Sequence, residues 1–185
     1  MTHSISFPPL RPCDHLRGSP DYAVTVMAYG DYQCSRSSQA YATVNHVQKR
    51  HRKQLCLIYR HFPQTLPQKT AWRAAEAAEV ASAQGKFWAI HELLYQTSKN
   101  LGDDKLVDCA VKAGLNIPQF LKELTNHTHL DKVQSDVVSG FEHGVTEVPT
   151  FYIHLRHQGA QNLEKLLHQV IELLKSLPSE TNIVA

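Results

Sequence analysis

The chain has 185 residues, of which 42% are hydrophobic and 19% are charged. This size and composition predict a compact fold with a sizeable core and exclude a disordered or fibrous chain. The formal net charge is only +2, and the basic residues are scattered apart from a short run at 49–53. A strong attraction to a polyanion is therefore excluded, and we expect no nucleic-acid partner.

The first 20 residues predict an irregular surface arm, because four prolines interrupt any regular element there. The chain does not open with a basic segment followed by a continuous apolar stretch, and no later apolar run is long enough to span a bilayer. We therefore expect no signal peptide, no membrane partner and a cytoplasmic location.

A strand, a helix and a second strand are predicted after the arm. Residues 24–29 combine β-branched and apolar side chains, which is typical of a buried strand. Residues 35–51 contain neither Gly nor Pro and have an amphipathic helical pattern. The apolar run at 55–60 predicts a central parallel strand, so residues 21–65 form a right-handed β-α-β unit.

Residues 66–143 have helical patterns throughout and predict an all-helical insertion. Alanines at helical spacing end before Gly85, and Asp103 or Asp104 is expected to cap a later helix. Pro118 suits the first turn of the next helix. The predicted helices run from about residue 71 to Gly85, over 87–97, from the Asp103 or Asp104 cap to Gly114, from a first turn near Pro118, and over about 130–139.

The last part of the chain, residues 144–185, predicts a strand at 149–155 and then a helix. Apolar residues at helical spacing run from 163 to 174. Between them, residues 153–159 predict a shortened or irregular hairpin after the strand.

Cys34 lies where the first predicted strand meets the first predicted helix. Free backbone N–H groups and the helix dipole stabilise a thiolate at such a position. Arg36 adds a positive charge and the Ser37 hydroxyl is placed to donate to the sulfur, whereas Asp31 opposes the effect. The arrangement predicts a reactive, nucleophilic cysteine.

Several motifs occur in an order that identifies a family resemblance. They are Asp14-His15-Leu16-Arg17-Gly18-Ser19-Pro20, Tyr29-Gly30-Asp31-Tyr32-Gln33-Cys34, Arg60-His61-Phe62-Pro63, Ala74-Ala75-Glu76-Ala77, Gln84-Gly85-Lys86-Phe87-Trp88 and Val148-Pro149-Thr150-Phe151. Together, over about residues 14–176, they resemble the DsbA-like thioredoxin family of thiol-disulfide oxidoreductases. The resemblance implies an α/β thioredoxin fold, a central mixed β-sheet flanked by helices, with an all-helical insertion.

The resemblance also implies the roles of individual residues. Cys34 is the expected nucleophile, and Pro149 is the expected cis-proline facing it. A cis peptide bond there leaves the backbone of Val148 free to pair with an extended substrate. The catalytic set implied is Cys34, Ser37 and Pro149, and the substrate-binding set is Ser35, Arg36, Val148 and Thr150.

One departure from the family pattern concerns the second cysteine. The family usually reads Cys-Pro-x-Cys, but this chain reads Cys34-Ser35-Arg36-Ser37. A mixed disulfide on Cys34 therefore needs an outside thiol or a distant cysteine to release it. Of the remaining cysteines, Cys56 and Cys109 lie in apolar patterns and are expected to be packed, which leaves Cys13.

We therefore expect a monothiol enzyme that acts on protein thiols and disulfides or on glutathione. No bound cofactor is expected, with glutathione as a candidate co-substrate. The alternatives are a degenerate thioredoxin-fold module that binds peptides like a chaperone, and a transferase or isomerase similar to the kappa-class glutathione transferases, whose serine aligns with Cys34. A glutathione-held iron-sulfur cluster, as in monothiol glutaredoxins, is the remaining alternative.

The 12 histidines do not show an H-E-x-x-H spacing or a repeated pairing with carboxylates. We expect surface or structural histidines and no metal site. His91 is expected to pack inside the insertion. His61 lies near the carboxyl end of a predicted strand and is a candidate lining residue of the groove beside Pro149.

Overall fold

The computed structural model describes residues 7–22, 24–64, 69–97, 101–155, 168, 172 and 182–184. Its centre is a mixed sheet of five strands in the order β1-β3-β2-β4-β5. The strands are β1 (His15–Arg17), β2 (Val24–Gly30), β3 (Leu55–His61), β4 (Thr150–Leu155) and β5 (Asn182–Val184). Every residue of β2 and β3 is buried, as their apolar runs predict.

The register of these strands determines where the site lies. β2 and β3 are parallel, with Gly30 beside His61. β2 and β4 are antiparallel, with Tyr29 beside Thr150. The ends of β2 and β3 and the beginning of β4 therefore meet at one edge of the sheet.

One prediction about the ends of the sheet was wrong. The first 20 residues are not an irregular arm throughout, because β1 pairs antiparallel with β3. The hairpin predicted at 153–159 lies outside the described residues beyond position 155, and β5 pairs parallel with β4. The helix predicted at 163–174 lies outside the described residues, apart from helical positions 168 and 172.

Six helices are described. They are α1 (Ser35–Arg50), α2 (Lys69–Ala83), α3 (Phe87–Thr97), α4 (Asp103–Lys112), α5 (Ile117–Thr125) and α6 (Leu130–Glu142). Helices α2 to α6 all fall within the predicted insertion, which confirms its helical character. Among the described residues, no helix has the length and hydropathy required to cross a bilayer.

The helix caps agree only partly with the prediction. Asn116 caps α5 by accepting the Gln119 N–H at 3.0 Å, and Pro118 stands in the first turn as expected. The cap of α4, however, is Gly102. Asp103 and Asp104 follow it directly in the first turn, where their negative charges interact favourably with the positive end of the helix dipole.

The core lies on both faces of the sheet because successive strand residues point to opposite sides. Along β2, Val24, Val26 and Ala28 pack with α1 and the insertion. Met27 and Tyr29 face the other way, into a smaller cluster with Val145 and Val148. α6 covers this second face closely, since a Cβ atom at Gly140 would lie 2.6 Å from the Phe62 ring.

Candidate functional site

Cys34 occupies the N-cap position of α1, as the strand-to-helix pattern predicted. A tight turn leads into it, in which the Cys34 N–H donates to the Asp31 carbonyl at 3.1 Å. The Cys34 carbonyl accepts the first helical bond, from the Ser38 N–H, also at 3.1 Å. The first turn of α1 contains no acidic residue, so the helix dipole acts on the half-buried sulfur unopposed within that turn.

The structure brings Cys34, Val148 and Pro149 together. The Cys34 Sγ lies 3.7 Å from the Val148 carbonyl oxygen, and the Val148–Pro149 peptide bond is cis, as expected. Thr150 follows at the start of β4, but its side chain is buried and its Oγ1 donates to the Glu147 carbonyl at 2.7 Å. The Thr150 side chain therefore braces the loop and does not face solvent.

The other residues predicted for the site lie on the first turn of α1. Ser35 is exposed and Arg36 is half-buried, so both border the thiol. Ser37 is only 2% exposed, and its Oγ accepts the Asp31 N–H at 3.4 Å. The Ser37 hydroxyl therefore holds the turn before Cys34, and its hydrogen bond to the sulfur stays a prediction.

Asp31 is a buried carboxylate that joins two segments of the site. It accepts the Gln33 N–H at 2.8 Å and the Gln64 N–H at 3.2 Å. Burial raises the pKa of Asp31, against the two backbone hydrogen bonds, which lower it.

A group of buried aromatic side chains supports the site from below. The Tyr59 and Tyr95 hydroxyls are 2.9 Å apart, and the Tyr32 hydroxyl lies 2.7 Å from His91 Nδ1. Burial raises the pKa of all three tyrosines and lowers that of His91, so these groups stay neutral. His91 is thus a packing residue, as predicted.

Two of the remaining cysteines are inaccessible. Cys56 and Cys109 are buried, and burial raises the pKa of Cys56 to about 12 and also raises that of Cys109. Cys56 pairs with Thr25, which at about 3.3 Å per residue is roughly 16 Å from the strand ends near Cys34. A disulfide requires Cα atoms within about 7 Å. Cys13 is exposed.

An apolar surface adjoins the thiol. Phe62 packs in one cluster with Val148 and Cys34, and its ring centroid is 5.1 Å from that of Phe141 on α6. Phe141 is 65% exposed and Val138, on the same helix, is 54% exposed. Large apolar side chains of this kind at a groove are typical of a surface that contacts another molecule.

Sequence reasoning missed a buried cluster of His15, His61 and Glu79. Their ligand-type atoms lie within 4.8 Å of one another, and Glu79 Oε1 is 2.6 Å from His15 Nε2 and 2.7 Å from His61 Nε2. The three residues come from β1, β3 and α2, and only the pairing of β1 with β3 brings the two histidines together. Spacing along the chain gives no signal for this.

The charges around this cluster form an ion-pair network. The basic members Arg11, Arg60 and Lys132 are connected by ion pairs to the acidic members Asp14, Asp136 and Glu79. Three positive charges thus balance three negative charges before the histidines are counted. A divalent ion at the histidines would leave a buried excess of positive charge, which is costly.

Titration of this cluster follows from its burial. Burial lowers the pKa of His15 more than its hydrogen bond to Glu79 raises it. Burial alone would raise the pKa of Glu79, but the hydrogen bonds from both histidines outweigh it and that pKa is lowered. The folded protein therefore holds a neutral His15 beside an ionised Glu79.

A family model described as Thioredoxin matches residues 11–172. Among curated proteins, the Na+/H+ antiporter NhaA 3 of Salinispora tropica is 32% identical over 88% of this chain and 25% of its own length. NhaA 1 of Mycolicibacterium gilvum is 30% identical over 83% of this chain and 25% of its own length. The chain thus spans about a quarter of the length of these relatives.

Solved structures show the same fold at low identity. A thioredoxin-like oxidoreductase from Silicibacter pomeroyi has a TM-score of 0.68 at 22% identity, covering 88% of this chain and 94% of that one. BdbD from Bacillus subtilis has a TM-score of 0.68 at 19% identity, covering 87% and 92%. For alpha-DsbA1 from Wolbachia pipientis the TM-score is 0.69 at 18% identity, covering 89% and 92%.

Proposed function

The chain belongs to the thioredoxin family, and we propose that it is a DsbA-like thiol-disulfide oxidoreductase that works through Cys34 as its single active-site thiol. The observation that carries this proposal is the position of the Cys34 Sγ, at the N-terminus of α1 and 3.7 Å from the Val148 carbonyl oxygen. A helix N-terminus is a position typical of nucleophilic cysteines, and the adjacent backbone offers a hydrogen-bonding edge to an extended substrate.

The reaction is a pair of thiol-disulfide exchanges without net oxidation. The Cys34 thiolate attacks one sulfur of a disulfide, a bond forms between the two sulfurs, and the other substrate sulfur leaves as a thiolate that takes a proton from water. An outside thiolate then attacks the substrate sulfur of the mixed disulfide. A new disulfide forms and Cys34 leaves as a thiolate, ready for another cycle.

An external thiol is proposed for the second step because two of the three other cysteines are inaccessible and the third, the exposed Cys13, lies just before β1, which β3 separates from β2 in the sheet. Ser37 stands at the position of the usual second cysteine, and Cys56 and Cys109 are buried. Glutathione, a small and abundant thiol, is the proposed co-substrate.

Protein disulfides are the proposed substrates, since the surface beside the thiol is apolar. Phe141 and Val138 are exposed on the helix that packs against Phe62. A small hydrophilic disulfide would leave these side chains in water, whereas a polypeptide can cover them. The same surface supports a second candidate, a peptide-binding module in which Cys34 does not react.

Mass spectrometry separates the two candidates. The protein is exposed to oxidised glutathione between pH 5 and 9, alongside Cys34→Ala and a control, Cys13→Ala, that removes the exposed cysteine outside the site. The proposal predicts rapid, single addition of glutathione that Cys34→Ala abolishes and Cys13→Ala leaves unchanged. Absence of the adduct, with retained peptide binding in both variants, would favour the binding module.

A further inference from the structure

Gln64 makes two hydrogen bonds that the exchange reaction does not require. It is an exposed residue three positions after the end of β3. Its backbone N–H donates to Asp31 Oδ2 at 3.2 Å, and its side-chain Nε2 donates to the Thr146 carbonyl oxygen, also at 3.2 Å. One residue thus bridges two separate segments.

The two ends of this bridge belong to the two segments that face each other at the thiol, the turn that carries Cys34 and the loop that carries Val148. The space between these two walls is called the groove. Asp31 begins the turn that leads to Cys34, whose N–H it binds through its own carbonyl. Thr146 lies two residues before Val148, whose carbonyl faces the sulfur. The bridge therefore connects the wall that carries the thiol to the wall that carries the substrate-pairing backbone.

The loop before Pro149 needs such a connection because it lies outside the sheet. One end is attached to α6, where the Val145 N–H donates to the Gly140 carbonyl at 2.9 Å. The other end is braced within itself by Thr150 and Glu147. Neither bond runs across the groove, whereas the Gln64 amide does.

We propose that Gln64 is a positioning residue for extended disulfide substrates, and that its bridge from Asp31 to Thr146 holds the Val148 backbone at its working distance from Cys34. This inference rests on the proposed function and extends it to the recognition of the substrate chain. A polypeptide must meet both walls at once, because its cysteine reacts at Cys34 while its backbone pairs beside Val148. A small disulfide needs only the sulfur.

The size of the effect follows from the loss of one exposed hydrogen bond. Without the Nε2 bond the loop samples more positions, and binding of a peptide must order it. A net hydrogen-bond contribution corresponds to a change of about 3- to 10-fold in an equilibrium constant. We therefore expect KM for peptides to change, while the rate of exchange at the Cys34 sulfur stays the same.

Two substitutions isolate the side-chain donor while the backbone bond to Asp31 remains. Gln64→Met has similar length but no donor, and Gln64→Lys has a donor of similar reach. Gln39→Met is the matched control, because Gln39 is exposed on α1 and is outside the proposed site. Each variant is assayed with a disulfide-containing peptide and with a small aromatic disulfide, with glutathione as the outside thiol.

The proposal predicts that Gln64→Met raises KM for the peptide about 3- to 10-fold, leaves kcat and the small-disulfide rate within about twofold, and is partly rescued by Gln64→Lys. An unchanged KM, or an equal loss with both disulfides, overturns it. If the unaltered protein reacts with neither disulfide, the proposed function itself fails. Amide hydrogen exchange then still tests the bridge: faster exchange at 145–150 in Gln64→Met supports it, and unchanged exchange overturns it.

Discussion

Arg60 and Asp14 form an ion pair in which neither side chain is exposed to solvent. Arg60 Nη2 lies 2.8 Å from Asp14 Oδ2, and Arg60 Nε lies 2.8 Å from Asp14 Oδ1. Burial would raise the pKa of Asp14, but the hydrogen bonds from Arg60 and from the Arg11 backbone outweigh it and the pKa is lowered. The pair thereby joins β3 to the segment before β1.

Removal of one partner should be much more harmful than removal of both. Arg60→Met breaks this buried pair and leaves Asp14 with Arg11 as its remaining basic partner, at 3.2 Å, and we expect a loss of about 3–5 kcal/mol in the free energy of unfolding. Arg60→Met combined with Asp14→Leu should recover much of it. Urea denaturation measures both. The control is Arg73→Met, whose partner Asp103 is 68% exposed, and its cost should stay below about 1 kcal/mol. Equal costs for the two single variants would contradict the argument.

Restoring a second thiol should change how the mixed disulfide is released. In Ser37→Cys the new thiol stands three positions after Cys34 on one helical face, where the two side chains are neighbours. We expect an internal disulfide with Cys34 to replace the glutathione adduct. The mass spectrum should then show no adduct and a protein lighter by about 2 Da, the mass of two hydrogens. Ser35→Cys, with its thiol adjacent in sequence, should keep the adduct. A persistent adduct in Ser37→Cys would contradict the geometry.

Acid should destabilise the protein through His15 and Glu79. The folded pKa of His15 is below its ordinary 6.5, so stability falls as the unfolded chain takes up protons below that pH. The folded pKa of Glu79 is below its ordinary 4.5, so its contribution is present above 4.5 and is lost as pH falls further. Urea denaturation at pH 7.5, 5.5 and 3.5 measures both.

Glu79→Gln tests the assignment of this acid dependence. It should cost about 1.5–3 kcal/mol at pH 7.5, because hydrogen bonds to a charged group are lost, and should flatten the decline below pH 4.5. Glu123→Gln removes a carboxylate whose pKa is also lowered, at the surface, and its effect should stay below about 1 kcal/mol. An acid profile of Glu79→Gln parallel to that of the unaltered protein would show that other groups are responsible.

Zinc should not stabilise the fold, although two histidines and a glutamate converge. The ion-pair network around them is already neutral, because the basic members Arg11, Arg60 and Lys132 balance the acidic members Asp14, Asp136 and Glu79. In addition, Lys132 Nζ lies 3.8 Å from the Glu79 oxygen that both histidines share. We expect the thermal unfolding midpoint to be the same with zinc and with a chelator. One equivalent of zinc by elemental analysis, lost in Glu79→Gln, would refute this.

Local patterns were sufficient for most of the elements. The continuous apolar runs of β2 and β3 and the helical spacing of α1 to α6 arise from which face each element buries, and that is written in the order of side chains. The position of Cys34 at a strand-to-helix junction likewise needs only local information. Strand β1 could not be predicted in this way, because it is three residues long and forms only through its pairing with β3.

The sequence by itself determined the helical insertion, the buried strands, the position of Cys34 at a strand-to-helix junction and the presence of Ser37 where the family usually has a second cysteine. Only the tertiary structure decided that Gln64 bridges Asp31 and Thr146, that β5 joins β4 in parallel, and that His15 and His61 share one oxygen of Glu79. The physical reason is the same in each case. These contacts join residues far apart in the chain, and their partners are selected by strand register and packing and not by any local spacing.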